Sequence, residues 1–212
     1  MALQKNDFIE IEFTAKTSNG EIFDSNKKED LREEELKTEF KPFIFSLGHH
    51  MFLDSIDDFL IGKEIGEYSI ELPPEKAFGK RDANLIQMMP LKIFLEQKVN
   101  PIPGARFNFD GRIGKILTVT GGRIMVDFNH PIAGKNVEYK IKILRKIEDL
   151  NEKVKALIDF LFQKEMKFEI KNKKLILETE KEKVKFMEMF KDKFKEILNL
   201  DLEVKGIEEK KN

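Results

Sequence analysis

His49, His50 and His130 are the three histidines of a chain that has no cysteine, and Asp54 follows the adjacent pair closely. A His-His pair with a nearby carboxylate could serve a metal, but neighbouring histidines on a loop rarely converge on one ion. No metal and no cofactor is therefore expected. Gly111-Arg-Ile-Gly-Lys115 lacks the spacing and the hydroxyl of a phosphate-cradling loop. No elbow motif signals a Ser-His-Asp set, and a cysteine nucleophile does not exist. An enzyme built from these residues has to work without a nucleophile.

Rotation about an X-Pro peptide bond meets that condition. Its barrier of roughly 18–20 kcal/mol comes from amide resonance, while cis and trans differ by only about 0.5–1 kcal/mol. Catalysis then needs a dry aromatic cup that takes water from the carbonyl and favours the twisted amide over the planar one.

The elements that must position such a cup follow from periodicity. Ile9, Ile11, Phe13 and Ala15 alternate with polar residues, as in a half-buried strand. Asn19-Gly20 supplies the positive φ angles of a tight hairpin turn, and Ile22-Phe23-Asp24-Ser25 returns. Asn26 to Lys41, crowded with both signs of charge, reads as a solvated loop or short exposed helix. Pro42 to Gly48 forms a strand ending in glycine. Phe52, Leu53, Ile56, Phe59 and Leu60 then mark one short amphipathic helix closed by Gly62. Tyr68, Ile70 and Leu72 alternate again, and Val137 to Leu144 resumes that pattern after a long apolar insertion. A small binding domain is thus split beside the turn Glu71-Leu-Pro-Pro-Glu-Lys-Ala-Phe-Gly79.

The inserted stretch carries Met88, Met89 and Phe94 among many apolar residues, with Gly121-Gly122 marking a hairpin. Each is core by first guess. A domain of this size nevertheless buries a smaller share of its apolar surface than a large one, so part of the set stays exposed, and a patch rimmed by Lys and Arg suits unfolded chains. Met88 and Met89 are the adaptable members. From Asn151 onward a helix, two short strands, a longer helix from Val184 to Leu198 and a last strand make a third folded unit. Its large apolar face leaves self-association and docking on its own chain both open.

Charged residues are 36% of the chain and the formal net charge is −1, which gives no global attraction for nucleic acid. No apolar run reaches the length of a signal segment or a membrane span, so a soluble, cytoplasmic protein with no membrane partner is expected.

Phe13, Asn19-Gly20, Ile22-Phe23-Asp24-Ser25, Pro42-Phe43-x-Phe45-x-Leu47-Gly48, Gly62-x-x-x-Gly66 and Ala77-Phe78-Gly79, in this order, resemble an FKBP-type peptidyl-prolyl isomerase. An insertion just after Ala77-Phe78-Gly79 is similar to the insert-in-flap arrangement of SlyD-like members, and a further carboxyl-terminal domain to the archaeal long type. The resemblance implies an α+β fold: an antiparallel half-barrel sheet wrapped on one helix, interrupted by a small β-rich inserted domain and followed by a small α/β domain. Its boundaries would be residues 1–83 with 133–149 for the isomerase, 84–132 for a chaperone insert, and 150–212 for a carboxyl-terminal domain that could dimerise. It implies catalytic roles for Asp24, Phe78 and Tyr139. Phe13, Phe23, Phe43 and Ile56 would line the proline pocket, Phe52 and Leu53 would offer backbone groups to an extended peptide, and Met88, Met89 and Phe94 would hold the client. Read without it, each aromatic could be core and Asp24 a turn cap. Ile56 and Phe78 stand where the family often has tryptophan and tyrosine, and the histidine-rich tail of SlyD is absent. The expected function is isomerisation of X-Pro bonds together with chaperoning of unfolded or proline-containing polypeptides. The alternative is a holdase with a vestigial pocket.

Overall fold

The computed structural model describes residues 2–30 and 43–207, so most of the charged Asn26–Lys41 stretch and Pro42 lie outside the described residues. The chain forms two compact units: Met1–Lys16, Ile22–Ile70 and Glu138–Asn212 make one, Thr17–Glu21 and Glu71–Val137 the other. The architecture is mixed α and β, with short helices and mainly antiparallel strands.

In the first unit, β1 (Phe8–Thr17), β2 (Ile22–Ser25), β3 (Phe43–Ser46), β4 (Gly66–Leu72) and β9 (Val137–Ile147) build a five-stranded sheet in the order β2-β1-β9-β4. β2 and β3 are both antiparallel to β1 and use successive parts of the same edge: Thr14 faces Ser25, and Phe8 faces Ser46. β1 differs from the half-buried strand its alternation suggests, because Glu10 and Thr14 are buried as well. Their polar ends are met there, Glu10 by the Arg145 guanidinium and Thr14 by the Asp30 carboxylate. The β1–β2 turn has positive φ only at Gly20, +83°, and not at Asn19. The Thr17 N–H donates to Glu21 O at 2.9 Å and the Gly20 N–H to Thr17 O at 2.8 Å, a three-residue hairpin loop ending in a left-handed glycine.

Helix α1 (Asp54–Leu60) buries Ile56 and Leu60 completely. Gly62, at φ +84°, reverses the chain after it and donates to Leu3 O at 2.8 Å. After β9, α3 (Leu150–Phe162) starts at Asp149, whose side chain accepts from the Glu152 N–H. β10 (Phe168–Lys171) and β11 (Lys174–Glu180) pair antiparallel, and β12 (Asp201–Ile207) returns parallel to β11. The single helix expected from Val184 to Leu198 is instead two, α4 (Val184–Glu188) and α5 (Lys191–Leu198). Between them the Met189 and Phe190 N–H groups donate three residues back, to Phe186 and Met187. The tightened turn accompanies convergence of Phe186, Phe190 and Phe194 on Phe162, at 6.5, 5.2 and 6.4 Å between centroids.

The second unit has β5 (Ile86–Pro90), α2 (Leu91–Glu96), β6 (Arg106–Phe109), β7 (Arg112–Thr120) and β8 (Arg123–Asp127), with sheet order β5-β8-β7-β6. Gly121 and Gly122 both have positive φ in the β7–β8 hairpin, as their sequence predicts. Phe94, Ile116, Ile124 and Val126 form its core.

Among the described residues, no helix is long and apolar enough to cross a membrane.

Candidate active site

Four elements of the first sheet and the loop before α1 bring five rings together. Phe13 on β1 lies 5.1 Å from Phe52, 6.2 Å from Phe43 and 6.1 Å from Tyr139 between centroids. Phe52 meets Phe43 at 5.2 Å and Tyr139 at 5.7 Å, the latter edge to face. Phe23 meets Tyr139 edge to face at 6.1 Å. Edge-on packing directs positive ring edges at negative faces, which is preferred over a face-to-face sandwich. Phe13 and Tyr139 are buried while Phe23, Phe43 and Phe52 keep part of their surface open. The set therefore combines a covered base with accessible rims. Phe45, fully buried, underlies it at 5.1 Å from Phe43 and 5.6 Å from Phe52, a supporting ring that the strand pattern around Phe43 contains but does not single out.

The rims are fixed by polar bonds to backbone. The Asn26 side chain accepts from the Phe13 N–H at 2.7 Å and donates to Ile11 O at 2.8 Å, and the Ser25 hydroxyl donates to Phe13 O at 2.9 Å. These bonds hold the chain beside β1 just past Asp24. On the other side, buried Asp57 of α1 accepts from the Gly48 and His50 N–H groups at 3.1 and 3.3 Å, which shapes the turn leading to Phe52. Burial raises the Asp57 carboxyl above its ordinary range, and those two bonds pull it back in part. Leu53 O accepts from Ile56 and Asp57 at the start of α1.

Asp24 is the carboxylate assigned to this cup. Its side chain reaches solvent, yet partial burial raises its carboxyl, opposed by the Ser25 backbone N–H. Burial, and then the charge of Asp24, push the Tyr139 hydroxyl well above an ordinary phenol. The Asp24 charge thus opposes ionisation of the buried Tyr139 hydroxyl.

In the second unit Phe78 is half-buried and stacks face to face on His130, centroids 4.6 Å apart and planes 2° from parallel. The Gly79 N–H closes the preceding turn on Pro74 O at 2.7 Å. Met88 is 59% exposed, Met89 packs against the unit's core, and Phe94, 3% exposed, lies within that core. Periodicity could not separate these three, because β5 and α2 are too short to show which side faces inward.

Residues 1–94 match the family described as FKBP-type peptidyl-prolyl cis-trans isomerase, and residues 87–132 match the one described as FKBP26, IF domain. The short-type peptidyl-prolyl cis-trans isomerase of Methanocaldococcus jannaschii is 30% identical over 145 residues, 66% of this chain and 92% of that protein. The chain belongs to the FKBP-type peptidyl-prolyl cis-trans isomerases. The FKBP-type 16 kDa isomerase of Escherichia coli K12 is 29% identical over 149 residues, 68% of this chain and 93% of its own. The isomerase SlyD of Haemophilus influenzae is 25% identical over 160 residues, 73% of this chain and 77% of its own. Membership in the FKBP-type isomerases agrees with a chain that offers rings rather than a nucleophile.

Proposed function

We propose that the five-ring cup is where this isomerase turns X-Pro bonds, and that the inserted segment makes it a folding chaperone for unfolded and proline-containing chains. The convergence of Phe13, Phe23, Phe43, Phe52 and Tyr139 beside Asp24 is the observation that carries the reading. In it, the proline ring displaces water from the aromatic surface, and Ile56 backs the floor. The amide nitrogen pyramidalises as the bond twists, and the apolar walls withhold the hydrogen bonds that would favour the planar carbonyl. Asp24 forms the polar wall and Tyr139 remains a neutral phenol. Phe78 supplies a further apolar contact to the substrate. The Leu53 carbonyl is committed to α1, so the Leu53 N–H is the group offered to an extended peptide.

Residues 84–132 act as the client-holding insert within an isomerase domain of residues 1–83 and 133–149. Met88 and Leu95, 59% and 61% exposed, are its contact residues, and Phe94 supports them from within. A loosely held chain presents its prolines to the cup at a local concentration in the mM range, typical of short flexible connections. Residues 150–212 are the third domain of this reading, and the exposed Phe186 and Met189 offer a surface for pairing with a second copy, with docking on the same chain as the alternative. Replacing residues 84–132 by a short loop tests the tether. Proline-limited refolding of a protein substrate falls at least about tenfold more than isomerisation of a tetrapeptide; equal losses reject the tether.

A further inference from the structure

Residues 84–132 carry six basic and three acidic side chains, a charge of +3 within a chain whose formal total is −1. Strand register shows where part of that excess sits. Met88 of β5 pairs with Met125 of β8, Arg106 and Asn108 of β6 pair with Lys115 and Ile113 of β7, and Lys115 in turn pairs with Asp127 of β8. Paired residues of an antiparallel sheet share a face, as do alternate residues of one strand. Arg123, Met125 and Asp127 alternate along β8. Met88, Met125, Ile113, Arg106, Lys115 and Arg123 therefore occupy one face of the sheet. The other is the core face, where a Cβ at Gly114 would run into Val126, Phe109 and Phe128.

The outer face is apolar and basic at once. Met88 and Ile113 are 59% and 58% exposed, and Arg106, Lys115 and Arg123 are exposed beside them. Among the described residues, none of these three cations has a carboxylate within ion-pair distance. Asp127, opposite Lys115, is already bonded by Arg81 and by the Asn129 amide. Arg106 and Lys115 stand directly across from one another, and like charges in that position disfavour the free sheet. A bound carboxylate turns that repulsion into attraction. Nucleic acid is the other polyanion for a basic face, but single strands bind by stacking bases on rings. The rings of this sheet, Phe94, Phe107, Phe109 and Phe128, pack together on the core side.

We propose that this face selects clients by charge, holding unfolded segments whose apolar residues are flanked by aspartate or glutamate, with Arg106, Lys115 and Arg123 as the selecting residues. The inference rests on the reading that residues 84–132 hold clients, and adds which clients these are. Contact with Met88 and Ile113 contributes affinity whatever the flanks. The cations then distinguish the sign of the flanking charge. Exposed ion pairs are individually weak, so selection comes from two or three acting together.

The test is binding of the full chain to a short fluorescent peptide, an apolar run flanked by glutamate, by serine or by lysine, followed by anisotropy. At low salt the glutamate form binds about three- to tenfold more tightly than the lysine form, the range of two exposed ion pairs, with the serine form between them. The difference vanishes at about 1 M salt, where the Debye length is about 3 Å. Arg106→Glu combined with Lys115→Glu inverts the order, an effect that loss of structure does not produce. Arg123→Glu, at the hairpin end of the same face, shifts the order the same way by a smaller step. Equal affinity for the glutamate and lysine forms, a preference that persists at high salt, or an order unmoved by either variant overturns the charge selection. So does an oligouridylate that binds more tightly than the glutamate form and displaces it, which makes the face a nucleic-acid site. Affinity for the serine form that is unchanged when a short loop replaces residues 84–132 overturns instead the reading of that segment as the client holder, and the selection falls with it.

Discussion

Tyr139→Phe removes one hydroxyl from the cup and leaves its packing in place. The ring is 1% exposed and meets Phe13, Phe23 and Phe52 at 6.1, 6.1 and 5.7 Å, contacts that phenylalanine retains. Burial first, and Asp24 second, oppose formation of the phenolate and raise its pKa in the folded chain. In the unfolded chain the phenol ionises near pH ~10. A raised folded value means that the stability this group contributes is fully present below that pH. Above it, stability falls as pH rises, because the unfolded chain has released a proton that the folded one keeps. The loss runs at up to about 1.4 kcal/mol per pH unit, so by about pH 11 the wild type should have lost about 1.4 kcal/mol more than Tyr139→Phe, relative to about pH 9. Urea unfolding of both proteins across that window measures the difference directly, since lysines titrate equally in each. Asp24→Asn should recover a smaller part, as burial is the larger cause. Parallel pH slopes for wild type and Tyr139→Phe would refute a buried phenol coupled to Asp24.

Two further predictions concern the second unit. A Cβ at Gly114 would lie 2.6 Å from Val126 Cγ1 and 2.9 Å from both Phe109 Cε2 and Phe128 Cε1, so Gly114→Ala should destabilise this unit by about 1–3 kcal/mol, read as faster amide exchange in β5, β7 and β8. Met88→Glu combined with Leu95→Glu should leave the melting temperature and tetrapeptide turnover near wild type while weakening suppression of client aggregation severalfold; undiminished suppression would remove these side chains from the client surface.

Local chemistry made the elements of the cup legible, but not their assembly. The alternation through Phe13, the return strand with Phe23 and Asp24, and the 52–60 spacing around Ile56 each appear as an element close to its expected place. Short-range patterns report which face of an element is apolar, and Phe13 with Tyr139 are both apolar-side residues. They do not report that β2 and β3 share one edge of β1, a long-range pairing that sets which rings meet. Burial of Glu10 and Thr14 was likewise hidden, because their partners, Arg145 and Asp30, come from other parts of the chain. The break between α4 and α5 leaves no mark in the sequence: Met189 and Phe190 are compatible with a continuous helix, and the aromatic cluster around Phe162 is a tertiary arrangement. His130 illustrates the same limit in the second unit. Its place on Phe78 depends on bonds between segments around residues 79–85 and 127–134, and a lone histidine in a loop carries no periodicity to announce it.

The most direct test of the cup as a working isomerase site is the slow, proline-limited refolding phase of a reporter protein, followed with catalytic amounts of this chain and of Asp24→Ala. Acceleration with turnover by the wild type, and a much weaker effect of the variant at equal melting temperature, is the result predicted here. Equal acceleration by both would take Asp24 out of the catalytic wall. No acceleration by either, with both suppressing aggregation at stoichiometric ratio, would contradict the account and leave a holdase.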